Sequence, residues 1–155
     1  MTRPHPIESR HVESFGVPWE DAFGYEQAVE LDGTIYLSGQ LSHTSDGAFV
    51  SPAPLDNAGA PSDFSNMEAQ MRRTYENAVE LLARFGATLD NVVEETVYVI
   101  DMVSGFQAAG KVRKEMYGTA RPPVASNIIG VSRLAVPEQL VEVSFRAVRQ
   151  RRRSA

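Results

Sequence analysis

A chain of 155 residues, 43% hydrophobic and 23% charged, suits one domain whose core needs neither disulfides nor metal. It has no cysteine, which excludes disulfides and thiolate metal sites, and its three histidines, His5, His11 and His43, lack the spacing of a catalytic zinc site. A formal net charge of −5 disfavours nonspecific nucleic-acid binding.

Residues 1–23 read as an N-terminal extension. Its opening, "MTRPHPIESRHVESFG", has no apolar run of signal-peptide type, and no segment of the chain is long enough to span a membrane, so no membrane partner and a cytoplasmic location are expected. The first clear element is "GYEQAVELDGTIYLSGQ". Residues 25–31 read as a strand, Asp32-Gly33 as a two-residue turn and residues 34–38 as the returning strand. Residues 42–64, rich in Gly, Pro, Ser and Asp, form a long loop of the kind that often carries function.

A helix follows, with Ser65 and Glu68 as a capping box. Met67, Met71, Thr74, Ala78, Leu82 and Phe85 recur at helical spacing as a core stripe, and Gly86 suits the position just past the end. "NVVEETVYVI" is the next strand, dense in β-branched residues. "SGFQAAGKVRKEMYG" is a weaker helix, with Phe106, Ala109, Val112 and Met116 on one face and Gly110 lowering its stability. Pro122-Pro123 ends it and starts "VASNIIGV", expected as a buried strand; Pro137 marks a turn and "QLVEVSFRAV" is the last strand. The order ββαβαββ gives an α+β fold with two helices on one face of a sheet. The other face, expected to carry Val, Ile and Leu, then needs a partner, such as another subunit. Arg146, Arg149, Arg151, Arg152 and Arg153 cluster at the end and read as solvated, with 149–155 as a basic tail.

Three features could carry chemistry. "IYLSGQL" puts Ser38 and Gly39 at a strand end, which suits either a β-bulge or close approach of a ligand to the backbone. No Gly-x-Ser-x-Gly elbow accompanies Ser38, which argues against a serine-hydrolase nucleophile. Glu142 lies in mid-strand on the face opposite Val141, Val143 and Phe145, as a solvated residue or as a base oriented toward a pocket. Tyr25, opening the first strand, reads by itself as a packing residue with a wet hydroxyl.

Together, "GYEQAVELDGTIYLSGQ", "LLARFGATLDNVVEETVYVIDM" and "VSRLAVPEQLVEVSFRAV" resemble the RidA/YjgF family, also called reactive-intermediate deaminases or L-PSP endoribonucleases, over residues 24–148. The resemblance implies a chorismate-mutase-like fold and a homotrimer whose sheets form a central barrel, with small-molecule sites in clefts between subunits. It also implies cofactor-free hydrolysis of enamines and imines derived from amino acids. By the same resemblance Tyr25, Ser38 and Glu142 are the catalytic candidates, Gly39 lines the site and Glu142 holds or activates water. The family's substrate-binding arginine falls instead on Ser126, or on Ala125 if aligned on the prolines, and its helical asparagine on Gly110.

Neither Ser126 nor Ala125 is basic, so the carboxylate anchor of the usual substrates is missing. Ser126 or Asn127 is expected to supply hydrogen bonds in its place. Arg121 is the nearest candidate cation; Arg133 reads as structural, Lys111 and Arg113 as solvated, and His43 as a surface-loop residue. The expected function is a hydrolase with a neutral or differently held substrate, using neither metal nor cofactor. A non-catalytic ligand-binding or regulatory trimer is the rival, and an endoribonuclease the least favoured reading.

Overall fold

The computed structural model of the protein describes residues 9–149. Strands β1 (His11–Glu13), β2 (Ala28–Leu31), β3 (Thr34–Gln40), β4 (Val92–Val99), β5 (Ala125–Gly130) and β6 (Val141–Val148) form one sheet in the order β1-β2-β3-β6-β4-β5. All neighbours are antiparallel except β4 and β5, which run parallel. Asp32 and Gly33 both take positive φ, 52° and 82°, as a type I′ turn requires, and they close β2 onto β3.

The helix α2 (Met67–Arg84) buries its Met67, Met71, Thr74, Ala78 and Leu82 stripe against the sheet, and Gly86 at φ 67° follows the C-cap Phe85. The expected capping box is not formed. Asn66 is the N-cap, and Glu68 is drawn away by Arg72 at 3.0 Å and Lys111 at 2.8 Å. In α3 (Met102–Tyr117) the N-cap Asp101 accepts from the Ser104 amide at 2.8 Å. Its buried face is Gly105, Ala108, Ala109 and Val112, while Phe106, expected inside, is 67% exposed. The small residues face inward because α3 lies very close to β4: a Cβ on Gly105 would come within 2.7 Å of Val99 Cγ1.

Valines 97 and 99 of β4 and Val141, Val143, Phe145 and Ala147 of β6 point beneath the helices and make the core. The opposite face carries Thr96 and Tyr98 paired with Ser144 and Glu142, plus Tyr36 and Arg146, and is therefore more polar than expected. β5 is an exposed edge strand, not a buried one, because nothing among the described residues pairs with its outer side.

Residues 9–23 are not a mere extension. β1 adds a sixth strand, and α1 (Pro18–Phe23) packs beside the loop that follows β3. The Glu20 carboxylate of α1 accepts the amides of Phe15, Gly16 and Val17 at 2.9, 2.7 and 3.2 Å. Gly24 ends the helix at φ 72°, and the amides of Gly24 and Tyr25 both return to the Glu20 carbonyl. Tyr25 is thus held by a helix end, and the strand starts three residues later than expected.

The 42–64 loop is tied down by its own turns and by the buried Gln70, whose amide donates to Ser51 O and Glu138 O while its oxygen accepts from Leu140 N. Arg146 and Arg149 are exposed, as expected, and also paired. Arg146 pairs with Glu94 and lies over the Tyr36 ring; Arg149 pairs with Glu30 and donates to Phe85 O. His5, Arg151, Arg152 and Arg153 lie outside the described residues. No helix among the described residues is long and apolar enough to cross a membrane.

Candidate functional site

Where β3 meets β6 the register shifts between Leu37 and Gln40, so the β-bulge and the candidate ligand site coincide. The irregular backbone leaves Gly39 directly under Glu142: a Cβ there would sit 2.0 Å from Glu142 Oε1 and 2.6 Å from its carboxyl carbon. Only glycine lets the carboxylate fold down at this point. Gln139, itself buried, donates to Glu142 Oε2 at 3.1 Å and to Val141 O at 3.1 Å, and its oxygen accepts from Val136 N at 3.3 Å. Glu142 Oε1 accepts no hydrogen bond from the described residues.

Glu142 and Gly39 form the floor of a cleft of about 360 Å³. Its walls are Trp19 and Phe23 from α1, Tyr25, Leu41, and Ala135 and Val136 from the turn before β6. Tyr25 Oη accepts from Gln27 Nε2 at 3.2 Å, and Gln27 Oε1 in turn accepts from Gln40 at 2.9 Å. This buried amide chain fixes the phenol's orientation. Burial pushes the Tyr25 pKa up, and the Glu20 and Glu142 charges push it further, against the opposing effect of Trp19 and Gln27. The Trp19 indole N–H influences the phenol in this way although it is buried without a hydrogen bond of standard geometry. Tyr25 is therefore a neutral donor at physiological pH.

Trp19 and Phe23 were not singled out from the sequence. The signal was there, since Pro18, Glu20 and Gly24 punctuate a short helix, but their side chains reach the site only because Glu20 ties α1 down. His43 supports the same wall. It is 2% exposed, and its ring meets the edges of Phe15 and Trp19 at 5.1 Å each. Burial lowers its pKa, so it stays neutral with Nδ1 2.7 Å from Thr44 O. It is not a surface-loop residue, because Phe15 and α1 cover it.

The structure does not bring the other expected residues to this cleft within one chain. Ser38 Oγ donates to Glu26 O at 2.8 Å and does not line it. Ser126 and Asn127 lie on β5, separated from β6 by β4, two inter-strand steps of about 4.8 Å each. They also point to opposite faces. Asn127 pairs with Thr96 on the open face, whereas Ser126 pairs with buried Glu95 beneath α3. Arg121 is exposed in the loop before β5, and Arg133 lines a different cleft, beside Gly59 and Pro61.

Ser126 belongs to a polar cluster that was not foreseen. Its Oγ donates to Glu95 Oε1 at 2.9 Å and accepts from Arg113 Nη2 at 2.6 Å, while Arg113 Nε donates to the same carboxylate oxygen at 2.5 Å. Tyr75 and Tyr117 complete the set at 2.7 and 3.1 Å from Glu95 Oε2. Arg113 is thus half-buried and paired rather than solvated, because Glu95 needs a counter-charge. Its pKa is raised: burial alone would lower it, and the Glu95 charge outweighs that. Burial, then the Glu95 charge, pushes both tyrosine hydroxyls well above their ordinary range. The cluster adjoins a second cleft of about 170 Å³ between α3 and β5, lined by Phe106, Ala109, Gly110, Arg113, Ser126 and Ile128.

Comparison with known proteins agrees with this architecture. The family model for Endoribonuclease L-PSP matches residues 19–149. The chain belongs to this family, the RidA/YjgF proteins. A mitochondrial mmf2 protein of Schizosaccharomyces pombe is 32% identical over 111 residues, 70% of this chain and 76% of its own. A goat (Capra hircus) protein named 2-iminobutanoate/2-iminopropanoate deaminase is 29% identical over 102 residues, 66% of this chain and 65% of its own. Among solved structures, Rv2704 of Mycobacterium tuberculosis, described as a YjgF/YER057c/UK114 family member, superposes with a TM-score of 0.69 at 27% identity. That match covers 90% of this chain and 99% of Rv2704. The family match begins at Trp19, inside α1.

Proposed function

We propose that this RidA-family chain is a cofactor-independent hydrolase of imine or enamine bonds, working as a homotrimer whose ligand clefts lie between subunits. The observation that carries the reading is the Glu142 carboxylate folded over Gly39 beside the neutral Tyr25 phenol, at the floor of an otherwise apolar cleft. An imine carbon is already electrophilic, so such a site needs only to orient it and activate water. Water adds its oxygen to the carbon as the C=N π pair moves to nitrogen, and Glu142 Oε1 takes the water proton. Glu142 returns that proton to nitrogen, giving a carbinolamine; it then carries the carbinolamine hydroxyl proton to nitrogen as the C=O bond forms and the C–N bond breaks, and ammonia or an amine leaves with a carbonyl product. Tyr25 donates to the substrate or to the developing hydroxyl.

The trimer would set the α3–β5 cleft of one copy, with Ser126, against the Glu142 cleft of the next. That arrangement accounts for candidates lying far apart in one chain. By the family resemblance, Ser126 or Ala125 falls where the family has an arginine and Gly110 where it has an asparagine, and this favours a second reading, a ligand-binding trimer without turnover. One experiment separates the two. The wild type should release ammonia or amine from a panel of imines, and Glu142→Gln should lower turnover by about 100-fold or more with the assembly unchanged. Retained ligand binding with no release from any imine would establish the second reading, and full activity in Glu142→Gln would remove this residue from the mechanism.

A further inference from the structure

We propose that the ligand of the Glu142 cleft is a small organic cation lacking a carboxylate, held by the Glu142 charge and the Trp19, Phe23 and Tyr25 rings. This rests on the reading of the cleft as the substrate site and narrows the substrate to protonated imines. Three aromatic rings and one carboxylate line the cleft, and no lysine, arginine or histidine does so among the described residues. Such rings attract cations through their electron-rich faces, most strongly where water is excluded.

The charge accounting around the cleft is one-sided. Glu20 spends its carboxylate on three backbone amides, and Glu95 is matched by Arg113. Glu142 alone keeps an oxygen without a donor, since Gln139 reaches only Oε2 and is neutral. An anionic ligand would meet Glu142 and Glu20 with no counter-charge. Among the described residues, the one cation lining the α3–β5 cleft, Arg113, is already bound to Glu95 and Ser126. A cleft of about 360 Å³ is at the small end for organic ligands.

The chemistry follows. A protonated imine is more electrophilic than a neutral one, and Glu142 first pairs with its N–H and then accepts the proton of the attacking water. Glu142 hands that proton to nitrogen, takes the carbinolamine hydroxyl proton as the C=O bond forms and the C–N bond breaks, and passes it to the departing ammonia, so one water is consumed and the positive charge leaves on ammonium.

Trp19 is the chain's only tryptophan and lines the cleft, so its fluorescence reports occupancy. The full chain is titrated with N-methylpyrrolidinium, the neutral 2-pyrrolidinone and the anionic cyclopentanecarboxylate, with calorimetry as a second readout. The expected order is cation, then neutral at about tenfold weaker affinity, with no saturable binding of the anion. Glu142→Gln should abolish the cation's advantage while leaving the neutral probe unchanged. Carboxylate binding as tight as the cation's, no saturable cation signal, or an undiminished cation preference in Glu142→Gln overturns the proposal. Should that variant not fold, the order of the three probes on the wild type decides. Cation binding without hydrolysis of any imine would keep this inference and sink the hydrolase reading; imine hydrolysis without cation preference would do the reverse.

Discussion

Gly39 shows how one missing methyl group determines what a neighbouring acid can do. The Glu142 carboxylate occupies the space where a Cβ would stand, so Gly39→Ala forces the acid to swing away. The displaced group is the far end of a flexible, half-exposed side chain, so the stability cost should be small, about 1 kcal/mol. Turnover should fall about a hundredfold, because a water-activating carboxylate moved by an ångström or more no longer addresses the reacting carbon. Paired melting and imine-hydrolysis measurements check this; equal activity in Gly39→Ala would show that the folded-down position of Glu142 is dispensable. Gln139 has a related part. It holds one carboxylate oxygen and leaves the other open, a division of labour visible only once both side chains are placed.

At the scale of elements, the junction of α2, α3, β4 and β5 is organised around Glu95. Its carboxylate accepts from Arg113, Ser126, Tyr75 and Tyr117, joining two helices and two strands through one buried charge. Removing the guanidinium alone strands that charge, so Arg113→Met should cost about 3 kcal/mol in urea unfolding. The double variant Glu95→Gln/Arg113→Met should cost less than the two single changes added together, because no unpaired charge remains. Additive costs would mean that the pair is not coupled.

The tyrosines give the pH dependence of the same junction. Their folded-state pKa values lie above the unfolded value near 10, so above that pH the folded chain holds protons that the unfolded chain has lost. Their contribution is fully present below about pH 10 and is lost as pH rises beyond it. Of the five tyrosines, Tyr75 and Tyr117 should withhold their phenolate absorbance until the protein unfolds. Phenolate appearing from all five below the unfolding pH would contradict the placement.

At the scale of the whole molecule, a sheet covered by helices on one side leaves Tyr36, Thr96, Tyr98, Ser144 and Arg146 on the other. The proposed trimer covers this face and brings β5 of one copy to the Glu142 cleft of another. Sedimentation should therefore give three times the 17.0 kDa chain mass. Lysines placed together at the directly paired positions Thr96 and Ser144 set like charges side by side on the open face and should yield a folded monomer with little activity. A wild-type monomer with full activity would sink the intersubunit site.

The succession of strands and helices was legible in the sequence because it depends on local rules. The Asp32-Gly33 turn needs two positive φ angles, the Met67–Leu82 stripe repeats at helical spacing, and the β-branched run at 92–99 suits a strand. The pattern also put Glu142 opposite the core face of its strand, and the family motif singled out Tyr25 and Gly39 beside it. What sequence patterns could not supply was contact between distant segments. Residues 9–23 looked like an extension because their value lies in Glu20 tethering α1 so that Trp19 and Phe23 wall the cleft. Arg113 looked solvated because helical spacing says nothing about Glu95 waiting beneath it on β4. Ser126 and Asn127 read as one polar pair, yet neighbours along a strand face opposite ways, and only the sheet shows which of them lies under α3. Local backbone preference is written in a few adjacent residues; the balance of charge in the cleft, a carboxylate with no cation beside it among the described residues, is decided by which side chains the folded sheet brings together.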